Sequence, residues 1–176
     1  MKRLSIDPRF IYLLVVLALA VPLIKDIKLP PARMFAAEDL FAHIEGLVAS
    51  KDQIVLIAAD WGPGTSAENE SQTRVAVEHL MRRRIPFAMT SLYAQAKPIL
   101  ESLPQSVADN LMREMPGERW EYGKDWVNLG LLASPSQTLQ ALSKSENIHS
   151  ILKTDVNLVP LAEIPVMKEI KSLKNF

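Results

Sequence analysis

Residues Phe10 to Ile24 form a charge-free, apolar run between Arg9 and Lys25, with no polar face. Wound as a helix, this run spans about 22 Å at about 1.5 Å per residue. That is short of a bilayer core of about 30 Å, unless Arg9 and Lys25 snorkel and Ile27 and Leu29 add apolar length. Two readings compete. Lys2 and Arg3 with Ala18-Leu19-Ala20 fit a cleaved signal peptide; the alternative, expected here, is an uncleaved membrane anchor over residues 1–27. Lys28-Leu29-Pro30-Pro31 then reads as a stiff spacer, residues 28–33, because paired prolines hold a chain extended.

The pattern changes after residue 34. Phe35, Leu40, Phe41, Ile44, Leu47 and Val48 recur at helical spacing and predict a helix over 34–49. Ile54 to Ala59 is a continuous apolar run, as expected for a strand buried on both faces with a neighbour on each side. A polar helix from Ser66 to about Arg84 follows, with Val75, Val77, Leu80 and Met81 as its core face. Ile85–Leu92 reads as a second strand and Trp126–Gly130 as a short third. Between them lies a helical region from about Ala94 to Met115, interrupted by Pro98 and Pro104. Ser134-Pro135 caps another helix up to Lys144, and Val166–Leu173 suggests a last one. This order predicts an α/β domain over 34–176. It is three-layered and Rossmann-like in the loose sense, with a mostly parallel and incomplete sheet. A strand edge this apolar is a liability in a free monomer, so an oligomer or a complex with other protein subunits is expected.

Composition narrows the chemistry. The chain has 176 residues, 20 basic and 20 acidic, and thus no formal net charge. A dedicated nucleic-acid binder carries a basic excess, so no nucleic-acid partner is expected. With no cysteine, disulfides, thiolate metal sites and a Cys nucleophile are excluded. His43, His79 and His149 lack metal-ligand spacing, and His79 beside three arginines reads as a solvated helix end. No phosphate-loop or dinucleotide motif is present. No metal, cofactor or catalytic residue is therefore assigned.

Two segments remain as candidate sites. Asp60, Gly62, Gly64, Thr65 and Glu68 follow the first strand, at the sheet end where open α/β folds bind ligands. There the glycines permit positive φ and close backbone approach. The competing reading makes Thr65 and Glu68 a capping box and Gly62-Pro63-Gly64 a tight turn. The cluster from Trp120 to Trp126, with Tyr122 between, is either a packing plug or an interface anchor.

Several stretches together resemble an uncharacterised family of bacterial membrane-anchored proteins. They are Asp7-Pro8-Arg9-Phe10-Ile11-Tyr12-Leu13-Leu14, Gly62-Pro63-Gly64-Thr65 with Glu68 and Gln72, His79-Leu80 with Arg83, and Tyr122-Gly123-Lys124-Asp125-Trp126-Val127-Asn128-Leu129-Gly130. The resemblance implies an anchor in membrane lipid through residues 10–24, followed by an α/β domain. It also implies a further strand and apolar segment beyond the equivalent of Phe176, and it transfers no catalytic residue. The expected function is a non-enzymatic accessory or scaffold subunit of a membrane assembly. The bacterial inner membrane is the expected location, with the domain outside the cytoplasm, since the free amino terminus tilts the flanking charge towards N-inside. The alternative is an extracytoplasmic ligand-binding or hydrolytic domain using the loop from Asp60 to Glu68.

Overall fold

A computed structural model describes residues 7–24 and 33–176. The basic residues Lys2 and Arg3 lie outside the described residues, as do residues 25–32 with nearly all of the expected spacer. The chain divides into two compact units, Met1–Glu38 and Asp39–Phe176.

The first unit contains helix α1, Pro8–Ile24. Asp7 starts it by accepting the Arg9 backbone N–H at 3.0 Å, and Pro8 suits the first turn, where no N–H is needed. Its large apolar side chains from Phe10 to Leu19, with Val21 and Ile24, are exposed, from 49% at Val15 to 70% at Tyr12 and 83% at Ile24. The helix has 17 residues, about 26 Å at about 1.5 Å each. Among the described residues no helix is long and apolar enough to cross a membrane. The expected transmembrane helix is therefore not supported, because the apolar run stops short of a bilayer core.

Among the described residues the second unit is built on a three-stranded, wholly parallel sheet of β1 (Val55–Ala58), β2 (Phe87–Ser91) and β3 (Trp126–Leu131), in that spatial order. The α/β class is as expected, but the sheet centre is not. β2 is central and buried at every position, whereas β1 is an edge strand whose Leu56 is 37% exposed. Side chains alternate across the sheet. Phe87, Met89 and Trp126 enter one core with Val77, Leu80 and Met81 of helix α3 (Ser66–Arg82) and Leu103, Val107 and Leu111 of helix α4 (Lys97–Glu114). Ala88, Val127 and Leu129 enter the other, with Leu142 of helix α5 (Pro135–Lys144) and Ile148, Leu161, Met167 and Ile170.

Several local expectations are corrected. Helix α2 covers Phe35–Gly46 and buries only Ile44, leaving Phe35, Leu40, Phe41 and Val48 more than half exposed. Val75 is 67% exposed rather than part of the α3 core face. α4 runs unbroken through Pro104. An interior proline costs about 3 kcal/mol, and the apolar face of α4, with Leu100, Leu103, Val107 and Leu111 buried, offsets it. Ser134 adopts a left-handed φ of 47° and makes no side-chain cap to α5. The expected last helix is instead a run of 3-10 turns, Leu161–Glu163, Pro165–Met167 and Leu173–Asn175.

His79 is not solvated. Its side chain is 13% exposed, its Nε2 lies 2.7 Å from Glu45 Oε1, and its ring stacks on Phe41 at 4.6 Å. α2 is thereby pinned to α3. The hydrogen bond with His79, assisted by the charges of Arg83 and His79, holds the Glu45 carboxyl below its ordinary value of 4.5 against the opposing effect of desolvation.

Candidate functional sites around the sheet

The loop after β1 is held mostly by its own backbone. Asp60 Oδ1 accepts the Leu92 N–H at 2.7 Å and the Ser91 hydroxyl at 3.3 Å, tying the ends of β1 and β2 together. Gly62 is extended (φ −115°), so it does not use the freedom expected of it. A Cβ built on Gly62 or Gly64 would meet nothing within 4 Å. The expected capping box is absent too. Thr65 makes no side-chain cap, and a 3-10 turn, Pro63–Thr65, leads into α3 with Ser66 Oγ donating to Pro63 O at 2.9 Å. Glu68 is exposed, and among the described residues nothing bonds it to Asp60. Beside them the Trp61 indole N–H is buried without an acceptor.

Of the cluster from Trp120 to Trp126, the two tryptophans are packed inward while Tyr122 stays 38% exposed. Trp120 and Trp126 are only 4% and 2% exposed, which leaves no indole face for a partner. Trp120 Nε1 donates to Met81 O at 2.9 Å, and the Arg84 guanidinium lies 4.1 Å over its ring. Arg84 has a φ of 57° and occupies the left-handed position of a Schellman-type end to α3. There Ile85 N bonds Leu80 O and Arg84 N bonds Met81 O.

Tyr122 has a different task. Its hydroxyl donates to Asp155 Oδ2 at 2.6 Å and accepts the Asn128 N–H at 3.3 Å. Burial first, and then the Asp155 bond, push the phenol well above its ordinary pKa. Asp155 is 4% exposed, and its carboxylate is fully engaged. Oδ1 accepts the N–H groups of Asn157 and Val159, both at 2.9 Å, while Oδ2 also takes the Asn157 amide at 3.3 Å. This buried carboxylate was missed by sequence reasoning, since nothing local marks Asp155 as the partner of a tyrosine 33 residues earlier.

Along its outer edge β3 is closed by a chain of such bonds. Gly123 N donates to Trp126 O at 2.7 Å and Val156 N to Asn128 O at 3.1 Å. Asn128 Oδ1 accepts the Gly130 N–H at 2.8 Å, across a bulge where Gly130 has a φ of +74°. A Cβ on Gly130 would come within 2.9 Å of Val156 Cγ1, so only glycine fits.

β1 is left open. Val55 and Ala59 donate inward to Pro86 O and Thr90 O, so by the two-residue period Ile54, Leu56 and Ala58 point their N–H groups outward. Ile54 N reaches Asn175 O at 2.9 Å; among the described residues Leu56 and Ala58 have no partner. On the adjoining sheet face a cavity of about 190 Å³ is lined by Leu56, Ala58, Leu129, Leu142, Leu173 and Phe176.

Set against models of protein families, curated proteins and solved structures, the chain matches none. Among the described residues no three His, Asp or Glu side chains gather as a metal site.

Proposed function

We propose that this chain is a non-enzymatic, membrane-associated accessory or scaffold subunit. In this reading α1 is seated in lipid, and a strand from another subunit, of the same or a different kind, adds to β1. The observation that carries it is the unpaired outer edge of β1 beside an apolar cavity. Unpaired backbone groups next to apolar surface form a template for strand addition. The apolar helix α1, exposed at all its large side chains from Phe10 to Leu19, supports the lipid contact. So does the resemblance to membrane-anchored proteins in the Asp7–Leu14 stretch. The bacterial inner membrane is the proposed location, with the α/β unit outside the cytoplasm.

The test is carbonate extraction of membranes, followed by sizing of the detergent-solubilised protein. Retention in the carbonate pellet and a particle larger than one chain are expected. The particle is expected to shrink to a monomer in Leu56→Lys. A protein that extracts as a monomer, or a mature chain that lacks residues 10–24, would overturn the reading.

A further inference from the structure

The polar groups that close β3 also wall a cavity of about 370 Å³, between the start of α4 and the 155–157 loop. Its size falls at the small end of ligand pockets, about 300–1,000 Å³, and suits a ligand of one ring. Asn128 is 3% exposed and lines it. The orientation of its amide is set by a backbone donor. Oδ1 must be the atom that accepts the Gly130 N–H at 2.8 Å, which leaves Nδ2 as the other group. Among the described residues Nδ2 donates to nothing. The atom is not sealed off either, since among the described residues the Trp61 indole N–H is the one enclosed donor without a partner, so Nδ2 is open to donate to whatever fills the cavity.

The rest of the lining accepts. Glu101 and Gln105, one helical turn apart on α4, both line the cavity. Gln105 gives its Nε2 to Asp109 at 2.8 Å, which leaves its oxygen free. Asn157 gives its Nδ2 to Asp155 and likewise keeps an oxygen. Leu100, Val156 and Tyr122 supply apolar wall. Among the described residues no Lys or Arg lines the cavity, and Lys97, 3.8 Å from Glu101, is 70% exposed. The one carboxylate of the lining is thus paired with a lysine outside it, and the lining holds no unpaired charge that would select an ion. A ligand that accepts from one buried amide while donating to several oxygens, with an apolar face against Leu100 and Val156, has the chemistry of adjacent hydroxyl groups on a carbon ring.

We propose that this cavity is a binding site for a neutral saccharide unit, with Asn128 Nδ2 as the buried donor and Glu101 as the principal acceptor. The proposal stands independently of what covers β1. It is tested on the full chain in a polyoxyethylene detergent, which carries no sugar headgroup to compete. D-glucose and N-acetylglucosamine are titrated against tryptophan fluorescence and the Asn side-chain amide resonances, with inorganic phosphate and choline chloride in parallel. Saturable binding of at least one sugar in the millimolar range is expected, with a shift of the Asn128 amide signal and no saturation by phosphate or choline. Glu101→Gln, on an exposed helix position, is expected to weaken sugar binding about tenfold. Asn128→Asp keeps the acceptor for Gly130 but removes the donor, and is expected to weaken it at least as much. If Asn128→Asp fails to fold, Glu101→Gln and the amide shift decide alone. Absence of saturable sugar binding, equal binding of choline or phosphate, or unchanged affinity in Glu101→Gln would overturn the proposal.

Discussion

The two edge strands of this sheet face the same physical problem and meet it in opposite ways. Each parallel edge presents backbone groups that a third strand would otherwise pair. At β3 they are taken by the Tyr122 hydroxyl, the Asn128 side chain and the Val156 N–H, and a bulge at Gly130 turns the strand away from further pairing. At β1 a single bond, from Ile54 N to Asn175 O, marks the start of the edge, and among the described residues Leu56 and Ala58 stay open beside apolar surface. The difference shows that edge closure is not a property of strand sequence alone. β3 is closed by its own Asn128 and Gly130 together with residues before and after it in the chain, and among the described residues no such segment covers β1 beyond its start.

The largest effect is expected from breaking the closed edge. Asp155→Ala removes the buried acceptor shared by the Tyr122 hydroxyl and the N–H groups of Asn157 and Val159, three part-buried bonds. At about 1–3 kcal/mol per stranded donor, with partial relaxation, a loss of about 3 kcal/mol is expected. Urea unfolding followed by tryptophan fluorescence measures it. A loss below about 1 kcal/mol would show that the carboxylate does not hold the edge. Gly130→Ala is the next test, combining a positive φ with the 2.9 Å contact to Val156. A loss of about 2 kcal/mol is expected in the same assay, larger than for Ala at the unhindered Gly64.

The open edge should behave in the reverse manner. Leu56→Lys places a charge on an exposed position, so fold stability should stay within about 0.5 kcal/mol. A stability loss of about 2 kcal/mol would mean that the edge is already part of the core. The smallest effect lies away from both edges and serves as a control. Glu45 has a depressed folded pKa, so its contribution is present above its unfolded value of 4.5 and is lost as pH falls through the lower folded value. The melting temperature of Glu45→Gln should therefore lie slightly below wild type at about pH 6 and merge with it in acid. A gap that persists in acid would assign the effect to packing of α2 rather than to charge.

Much of the chain's architecture follows from patterns that act locally. An apolar run without a polar face becomes a helix that its own unit cannot bury, as at α1. Polar and apolar alternation at helical spacing places α3 and α5 within a few residues of their observed bounds, and the crossover lengths make the strands parallel. Strand order was not legible, because an apolar run reads the same at the centre of a sheet and at its edge. β1 and β2 exchange those roles only through which neighbours pack beside them. The loop from Asp60 to Glu68 looked like a site because glycines and carboxylates cluster there. Its glycines turn out extended or unhindered, and Asp60 is held by backbone and Ser91 hydroxyl donors that arrive from β2. The most constrained polar group is Asp155, whose partner Tyr122 lies on the far side of β3 in sequence. Hydrophobic period and turn chemistry act over one or two turns of chain and can be read in order. Hydrogen-bond satisfaction of a buried group depends on which distant segments the folded chain brings within about 3 Å, and only the tertiary structure decides that.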